Sequence, residues 1–222
     1  VFVSAAPEAF GFLGENPGGS ITFQGSQIVT GGGMGLVGGN VILENKTELT
    51  GQDGATIRLE GQSILLQDES ILDVSAESEL KAGSILIESG EFNLKGKSIV
   101  MADGLSEQPS GSVSIVAKDM DIEKGTEIRV ITEDGEGGGI TIESGVGGGM
   151  YTIDGSLVTD AKGAGAGGAI SIEGGGIVVG ENGKISANGA EGAAGGIRLE
   201  TAGEVEILGK VSSDAKKSGD GG

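Results

Sequence analysis

The sequence predicts an all-β protein that folds as a parallel β-helix, a solenoid of about eight stacked coils. A short motif of alternating apolar residues, preceded by glycine, returns at a nearly constant spacing along most of the chain. The apolar residues alternate at period two, as in half-buried strands, and a helical period is absent. Glycine accounts for 47 of the 222 residues and proline for only 3. This many glycines allow tight corners between short strands.

The repeated motif consists of two apolar residues separated by one position, usually followed by Glu. Its copies are spaced by 28, 28, 27, 30 and 27 residues and begin at Ile57, Ile85, Val113, Ile140, Ile170 and Ile197. A unit of this length cannot bury its apolar face alone, but stacked copies can. We therefore predict six long coils of 27–30 residues between residues 54 and 222.

Each long repeat carries two further apolar pairs at period two. In the first copy these pairs are Ile64/Leu66 and Leu72/Val74. The alternation places one set of side chains on the inner face of each strand and the polar set on the outer face. Three short strands per coil, joined by glycine-rich corners, are thus expected to pair in parallel with their equivalents in the next coil.

The sequence before residue 54 predicts two shorter coils and a terminal segment of the same continuous solenoid. The short coils, over residues 19–53, are marked by Ile21/Phe23 and by Val41-Ile42-Leu43-Glu44, which we interpret as an early copy of the first strand. Residues 1–18 are interpreted as a cap or junction. The spacing of the copies predicts a further copy beyond residue 222.

Composition excludes several functional classes. The chain has no His and no Cys, so serine and cysteine nucleophile triads, thiolate or imidazole zinc sites and haem ligation by these residues are excluded. The net charge of −19 argues against nucleic acid as a partner. No apolar run is long enough to span a membrane. The absence of Cys fits an exported bacterial protein.

Glutamates at the end of the first strand predict a column of carboxylates along one outer face. The column comprises Glu44, Glu60, Glu88, Glu143, Glu173 and Glu200, and Val116 interrupts it. One hypothesis is a stripe that binds a divalent cation such as Ca²⁺, which prefers carboxylate and carbonyl oxygens. The other is a solvated face that deters lateral association, and we favour it because calcium ligands converge from several directions.

Paired carboxylates are the available candidates for catalysis. Asp119/Asp121 and Asp68/Asp73 could serve as acid and base in glycoside cleavage, a common activity of β-helix proteins. However, the chain has one Tyr and no Trp for stacking on sugars, and only three Arg to neutralise uronates. We therefore predict that the protein is not an enzyme and assign no catalytic, cofactor-binding or metal-binding residue. A polysaccharide-degrading enzyme or glycan-binding fragment is the alternative.

Several phrases resemble the repeats of filamentous-haemagglutinin-type exoproteins secreted by the two-partner route. The phrases are Gly168-Ala169-Ile170-Ser171-Ile172, Gly183-Lys184-Ile185-Ser186-Ala187, Gly195-Gly196-Ile197, Pro7-Glu8-Ala9-Phe10-Gly11-Phe12-Leu13 and Leu36-Val37-Gly38-Gly39-Asn40-Val41. The resemblance implies a right-handed β-helical fibre, exported through an outer-membrane transporter and used in adhesion or surface structure. It places this chain in the passenger region that follows the secretion domain.

The expected function is thus that of an extracellular fibre segment at the surface of a Gram-negative-type bacterium. The two end coils of such a rod expose unpaired strand edges. These edges predict either continuation of the solenoid at both ends or, for a separate subunit, self-association by head-to-tail stacking into filaments. A surface glycan or cell receptor is the further expected partner. Three phenylalanines near the start, at positions 2, 10 and 12, are expected to cap the first coil or join it to a neighbour.

Overall fold

The fold is a parallel β-solenoid, as predicted. The computed structural model describes residues 10–11, 18–76, 80–104, 107–145 and 147–215. Every regular element within these residues is a β-strand, and every strand pair is parallel. The prediction of an all-β parallel β-helix is therefore confirmed. The described part of the chain offers no helix that is long and apolar enough to cross a membrane.

Twenty strands make up the described part of the solenoid. The first ten are β1 (Phe10–Gly11), β2 (Ser20–Gln24), β3 (Gln27–Thr30), β4 (Met34–Glu44), β5 (Glu48–Gly51), β6 (Thr56–Leu66), β7 (Ile71–Asp73), β8 (Ser84–Leu94), β9 (Ile99–Met101) and β10 (Ser112–Ile122). The second ten are β11 (Glu127–Arg129), β12 (Ile140–Ser144), β13 (Met150–Ile153), β14 (Ser156–Val158), β15 (Ile170–Gly174), β16 (Gly176–Val179), β17 (Lys184–Ser186), β18 (Ile197–Thr201), β19 (Val205–Ile207) and β20 (Lys210–Ser212).

The strands form two sheets that run along the solenoid. The second sheet has eight strands, which are paired in succession in the order β20-β17-β14-β11-β9-β7-β5-β3. The first sheet has twelve, because each coil contributes two apolar pairs to it. In β4, β6, β8 and β10 both pairs lie on one strand of 11 residues. In the later coils, glycine-rich segments such as 174–176 divide the same path into two strands.

The coil length changes as predicted, but the number of coils differs. In the second sheet the inward residues Ile28, Leu49 and Leu72 are paired in succession, at steps of 21 and 23 residues. From Leu72 to Val211 the steps are 28, 28, 29, 28 and 26 residues. The solenoid thus has about five turns of the long kind. The prediction of about eight coils, six of them long, is too high. Each copy of the motif marks one strand, and a stack of six strands encloses only five turns.

The alignment of the early coils also differs from the prediction. Val41 pairs with Ile64, and Leu43 with Leu66, so this apolar pair belongs to the second strand position. Leu36 instead pairs with Leu59 in the first position. Glycines at positions 35, 38 and 39 leave this first segment with a weaker alternating pattern. Val41 and Leu43, the pair that looks most like the first-strand motif, therefore occupy the second strand position of their coil rather than the first.

The predicted terminal cap lies almost wholly outside the described residues. Phe2 and Phe12 lie outside them, and only the two-residue strand β1 is described. Its backbone pairs with β4, where Phe10 is opposite Leu36 and Gly11 is opposite Val37. This places β1 at the first strand position of the coil that also contains β2 and β3.

The core is a set of continuous rows of apolar side chains. One row, at the second strand position, passes through Ile64, Phe92, Met120, Tyr151 and Ile177, and each of these residues is buried. Each member packs directly on its equivalents in the coils before and after it. Burial of one such side chain contributes roughly 1.5–3 kcal/mol, so the stacked rows are the main stabilising feature of the solenoid.

A ladder of glycines explains why glycine precedes nearly every copy of the first strand. Residues 83, 111, 138, 168 and 195 are stacked at this corner, each above the previous one. A Cβ on Gly111 would lie 2.0 Å from the carbonyl oxygen of Gly83, and one on Gly138 would lie 1.7 Å from that of Gly111. The close approach of one backbone to the next leaves no room for a side chain.

Candidate functional site

The predicted column of glutamates exists along the first sheet, with five members. Glu60 pairs with Glu88, Glu143 with Glu173, and Glu173 with Glu200, while Val116 separates the two groups. We call these five glutamates the carboxylate stripe. Its members project outward, and their side chains are partly or largely exposed.

Arginines neutralise both ends of the carboxylate stripe. Arg58 Nη2 lies 3.1 Å from Glu60 Oε2 and 2.7 Å from Glu88 Oε2. Arg198 Nη2 lies 2.5 Å from Glu200 Oε2. Both arginines stand two residues before a glutamate on the same strand, so their side chains share the outer face. The charge repulsion along the stripe is therefore least compensated around Glu143 and Glu173.

The inclusion of Glu44 in the stripe was wrong. Glu44 lies at the second strand position, between Gln24 of the preceding coil and Gln67 of the following one. Gln67 donates its amide to Glu44 Oε2 at 2.8 Å, and the Gln24 amide donates to Oε1. The early coils align differently from the prediction, so this carboxylate is bound between two amides rather than stacked on Glu60.

The stripe presents its carboxylates in one direction. Neighbouring strands lie about 4.8 Å apart, so successive carboxylates stand side by side on a sheet face. Calcium usually takes six to eight oxygen ligands that surround it. Among the described residues, no group of three or more Asp or Glu side chains is arranged to hold a metal ion. The hypothesis that the stripe binds calcium stays a prediction.

Asp119 and Asp121 are neighbours on the outer face of β10 but each has another partner. Asp119 Oδ1 accepts a hydrogen bond from the backbone N–H of Met150 at 3.1 Å. Asp121 Oδ2 lies 3.4 Å from Lys95 Nζ. The two carboxylates project in the same direction from one strand, so they do not flank a substrate from opposite sides as an acid–base pair would.

Asp68 and Asp73 lie at different corners of the coil. Asp68 has a positive φ of 58° and lines a groove of about 410 Å³ with Asn45, Lys46, Glu69, Gly96 and Lys97. Asp73 lines another groove of about 410 Å³ with Thr50, Gln52, Asp53, Ser75, Ala76 and Leu80. The structure therefore does not bring this predicted acid–base pair together.

Tyr151, the single tyrosine, is part of the core. Its side chain is fully buried, and its hydroxyl donates to the carbonyl oxygen of Ala117 at 2.7 Å. Burial, followed by the negative charges of Asp119, Glu143 and Glu173, raises the pKa of this hydroxyl well above its ordinary value. Tyr151 is therefore not available to stack on a sugar at the surface.

Sequence reasoning missed a series of side chains that each bind a backbone N–H of the following coil. Asp103 Oδ1 accepts from Ile131 N, Asp160 Oδ1 from Asn188 N, and Asn188 Oδ1 from Asp214 N, each at 2.8 Å. We call Asp103, Asp160 and Asn188 the Asx series. Each member stands three residues after the inward residue of the third strand. The spacing apolar-x-x-Asp/Asn was a signal that could have found it.

Asp103 is the buried member of the Asx series. Its side chain is 7% exposed, and Oδ2 lies 2.8 Å from Arg129 Nε. Burial raises the pKa of the Asp103 carboxyl above its ordinary value of 3.8, against the opposing effects of the Ile131 N–H and of Arg129. The arrangement links two coils through one carboxylate and is structural in character.

A second missed feature is a column of buried hydroxyls at the corner before the third strand. Thr47, Ser70 and Thr126 each donate to the carbonyl three residues earlier, at 2.8, 2.7 and 2.6 Å. The hydroxyl of Ser98, which lies between Ser70 and Thr126 in this column, accepts from Ser70 N at 3.1 Å. The sequence pattern that could have revealed this column is a Ser or Thr two residues before the inward apolar residue of the third strand. These hydroxyls satisfy backbone groups inside a tight corner.

Comparison with known proteins adds no relative. No family model, no curated protein and no solved structure matches this chain.

Proposed function

We propose that the chain is an extracellular β-helical fibre segment with a structural or adhesive role at the surface of a bacterium. The observation that carries this proposal is the continuity of the stacked rows. The glycine ladder and the core rows run along the solenoid axis from coil to coil, and the Asx series adds side-chain hydrogen bonds between several of the long coils. Eight strands spaced by about 4.8 Å give a stack of roughly 35 Å.

The side surfaces support a non-catalytic role. The carboxylate pairs considered for catalysis either bind neighbouring groups or lie at separate corners. A net charge of −19 opposes side-by-side aggregation of such rods, which suits a segment that must stay extended in solution. The resemblance to filamentous-haemagglutinin-type exoproteins supports export through an outer-membrane transporter and an adhesive task.

The location and the fibre role can be tested separately. An antibody raised against the chain should label intact cells of the source bacterium as strongly as permeabilised cells. Immunogold electron microscopy with the same antibody should place the label along filaments at the cell surface. Labelling that requires permeabilisation would overturn the extracellular role, and surface label without filaments would overturn the fibre role.

Glycan binding is a second candidate, favoured by the groove beside Asp53 and Asp73. The groove combines hydrogen-bonding side chains from Thr50, Gln52 and both aspartates with the half-exposed side chain of Leu80, a mixture that suits a sugar. A glycan array probed with the chain tests this candidate. Retained glycans that the Asp73→Asn variant no longer binds would support it, and binding unaffected by that change would place the contact elsewhere.

A further inference from the structure

Two grooves of the solenoid lie at the same corner of the coil, the corner that follows the third strand. The first groove, of about 410 Å³, has Asp53 and Asp73 on its walls. The second groove, of about 310 Å³, is lined chiefly by residues 160–162 and 188–190. The two grooves are far apart in the sequence but occupy the same position in the repeat.

A ladder of small residues underlies both grooves. Its members are joined by parallel backbone bridges in the order Ala76, Gly104, Thr132, Ala161 and Gly189, and all five are buried. Ala76 lines the first groove, and Ala161 and Gly189 line the second. Because successive members belong to successive coils, the two grooves lie in line along the solenoid axis.

The length of this line suits a chain of repeating units. Thr50 of the first groove is separated from the coil of Asn188, in the second groove, by five steps of strand pairing. At about 4.8 Å per step, the two grooves extend over about 24 Å. A hexose unit of an extended polysaccharide is about as long as one step, whereas a peptide residue rises only about 3.3 Å. Successive sugar units can therefore meet successive coils in the same way.

Arg129 occupies the surface between the two grooves. Its side chain is 29% exposed, and Nε lies 2.8 Å from Asp103 Oδ2. Nη1 lies 3.4 Å from Glu127 Oε2, and Nη2 lies 3.1 Å from Met101 Sδ. The guanidinium is thus held against the sheet, and its outer N–H groups can donate to a hydroxyl of a chain that passes from one groove to the other.

The walls of the grooves offer hydrogen bonds but little positive charge. Thr50, Gln52 and Ser75 in the first groove and Asn188 in the second supply hydroxyl and amide groups. Among the described residues that line the grooves there are three aspartates and a single basic residue, Lys162. In a chain with a net charge of −19, such walls repel sulfate and carboxylate groups. Uncharged hydroxyls, in contrast, can donate to the aspartates and accept from the amides.

We propose that the two grooves together bind one linear, uncharged polysaccharide that lies along the solenoid axis. Leu80 in the first groove and Ile131 in the second provide apolar contacts for the C–H faces of the sugar rings. No aromatic side chain is among the described residues that line the grooves, so each groove binds weakly and the affinity comes from filling both. The inference rests on the glycan-binding candidate and specifies the class of glycan and its direction on the solenoid.

The test measures affinity as a function of ligand length. Isothermal titration of the full chain uses uncharged disaccharides and hexasaccharides derived from linear glucans, mannans and galactans, with oligogalacturonates of the same lengths as the charged comparison. The hexasaccharide of the sugar that binds should have at least about tenfold higher affinity than its disaccharide, because only the longer chain reaches both grooves. Oligogalacturonates should bind more weakly at each length.

Two substitutions, one in each groove, separate binding across both grooves from binding in one. Leu80→Ala removes an apolar contact of the first groove, and Lys162→Ala removes a donor of the second. Each should lower the affinity for the hexasaccharide about fivefold or more. Met150→Ala is the control for Leu80→Ala, because both residues are 49% exposed and Met150 lies on the first sheet. Lys124→Ala, at the exposed corner before the third strand, is the control for Lys162→Ala, and neither control should change the affinity.

The outcomes distinguish failure of this inference from failure of the candidate on which it rests. Hexasaccharide binding that Leu80→Ala weakens and Lys162→Ala does not would overturn the proposal, while a glycan in the first groove would still stand. Equal affinity for disaccharides and hexasaccharides, or a preference for oligogalacturonates, would also overturn it. Failure of every oligosaccharide to bind would overturn the glycan-binding candidate together with this inference, whereas the fibre role is decided by immunogold labelling.

Discussion

At the scale of single residues, glycine sets how closely successive coils can approach. The ladder glycines at the corner before the first strand have carbonyl oxygens of the coil beneath them where a Cβ would stand. Glycine is required at these positions because a side chain would have no space. The backbone itself is ordinary there, since none of these residues has a positive φ. Substitution at this corner must therefore push two backbones apart along the axis.

We expect Gly138→Ala to destabilise the chain by about 1–3 kcal/mol, the usual cost of overpacking. Its Cβ would lie 1.7 Å from Gly111 O, whereas a Cβ on Gly196 would meet nothing within 4 Å. Gly196→Ala is thus the matched control and should change stability by less than about 0.5 kcal/mol. Urea unfolding, followed by the fluorescence of the buried Tyr151, measures both. Equal effects of the two variants would contradict the role of the ladder.

Asp103 gives a pH-dependent prediction at the same scale. Its pKa is raised above 3.8 in the folded chain, so the folded state binds this proton more tightly than the unfolded state does. The free energy of unfolding should therefore fall, through this group, as the pH rises from 3.8 through the raised value. Asp103→Asn keeps an oxygen acceptor for Ile131 N but does not titrate.

Denaturant unfolding of both proteins between about pH 3 and pH 7 tests the prediction. The wild type should lose stability relative to Asp103→Asn as the pH rises, and the remaining acidic groups cancel in the difference. A wild type that gains stability relative to the variant over this range would show that the ion pair with Arg129 outweighs the burial of the carboxyl.

At the scale of elements, the outer face of the first sheet is patterned by stacked charges. Arg58 and Arg198 compensate the ends of the carboxylate stripe, and Glu173 lies between Glu143 and Glu200 with an acidic neighbour on either side. Unit charges about 5 Å apart in water interact by roughly 1 kcal/mol. The stripe is therefore a mild source of repulsion along the sheet.

We expect Glu173→Gln to raise the free energy of unfolding by up to about 1 kcal/mol at low ionic strength. The gain should vanish in high salt, where the charges are screened. Glu60→Gln is the control, because Arg58 pairs with Glu60 and no gain is expected there. Urea unfolding at low and high NaCl concentration provides the measurement. If Ca²⁺ stabilises the wild type but not Glu173→Gln, the stripe binds cations and the solvated-face interpretation is wrong.

At the scale of the whole molecule, the solenoid is nearly one-dimensional, because each coil contacts chiefly its neighbours. A coil with a neighbour on both sides is held by two interfaces, whereas the last described coil is held by one. Its inward residues are accordingly exposed. Local stability should therefore decrease toward this end.

Hydrogen exchange should show this gradient directly. In dilute solution, amides of β18, β19 and β20 should exchange faster than those of β8 and β10, because opening the last coil breaks fewer contacts. Equal exchange rates in β8, β10 and the strands of the last described coil would contradict the gradient.

The sequence by itself was sufficient for the strands of the long coils and for their parallel stacking. Period-two alternation identified most of the inward residues from Ile57 onward, and the spacing of glycine before each copy aligned successive coils as the structure has them. It was wrong at β9, where the pattern favours the pair Ile99/Met101 but Val100 and Ala102 are the buried residues. These features can be recognised in the sequence because every repeat needs a residue without a side chain at the same corner. The right-handed twist of the solenoid, taken from the resemblance, stays a prediction.

Only the tertiary structure decided which segment of an irregular coil occupies which position. Val41 and Leu43 match the repeat by pattern, but stacking places them on Ile64 and Leu66, and Glu44 therefore leaves the stripe. The burial of Asp103 likewise depends on Arg129 and Ile131, which lie 26 and 28 residues away along the chain. The physical reason is that alternation repeats every two residues, so local pattern defines the face of a strand, whereas contact with the adjacent coils selects its alignment.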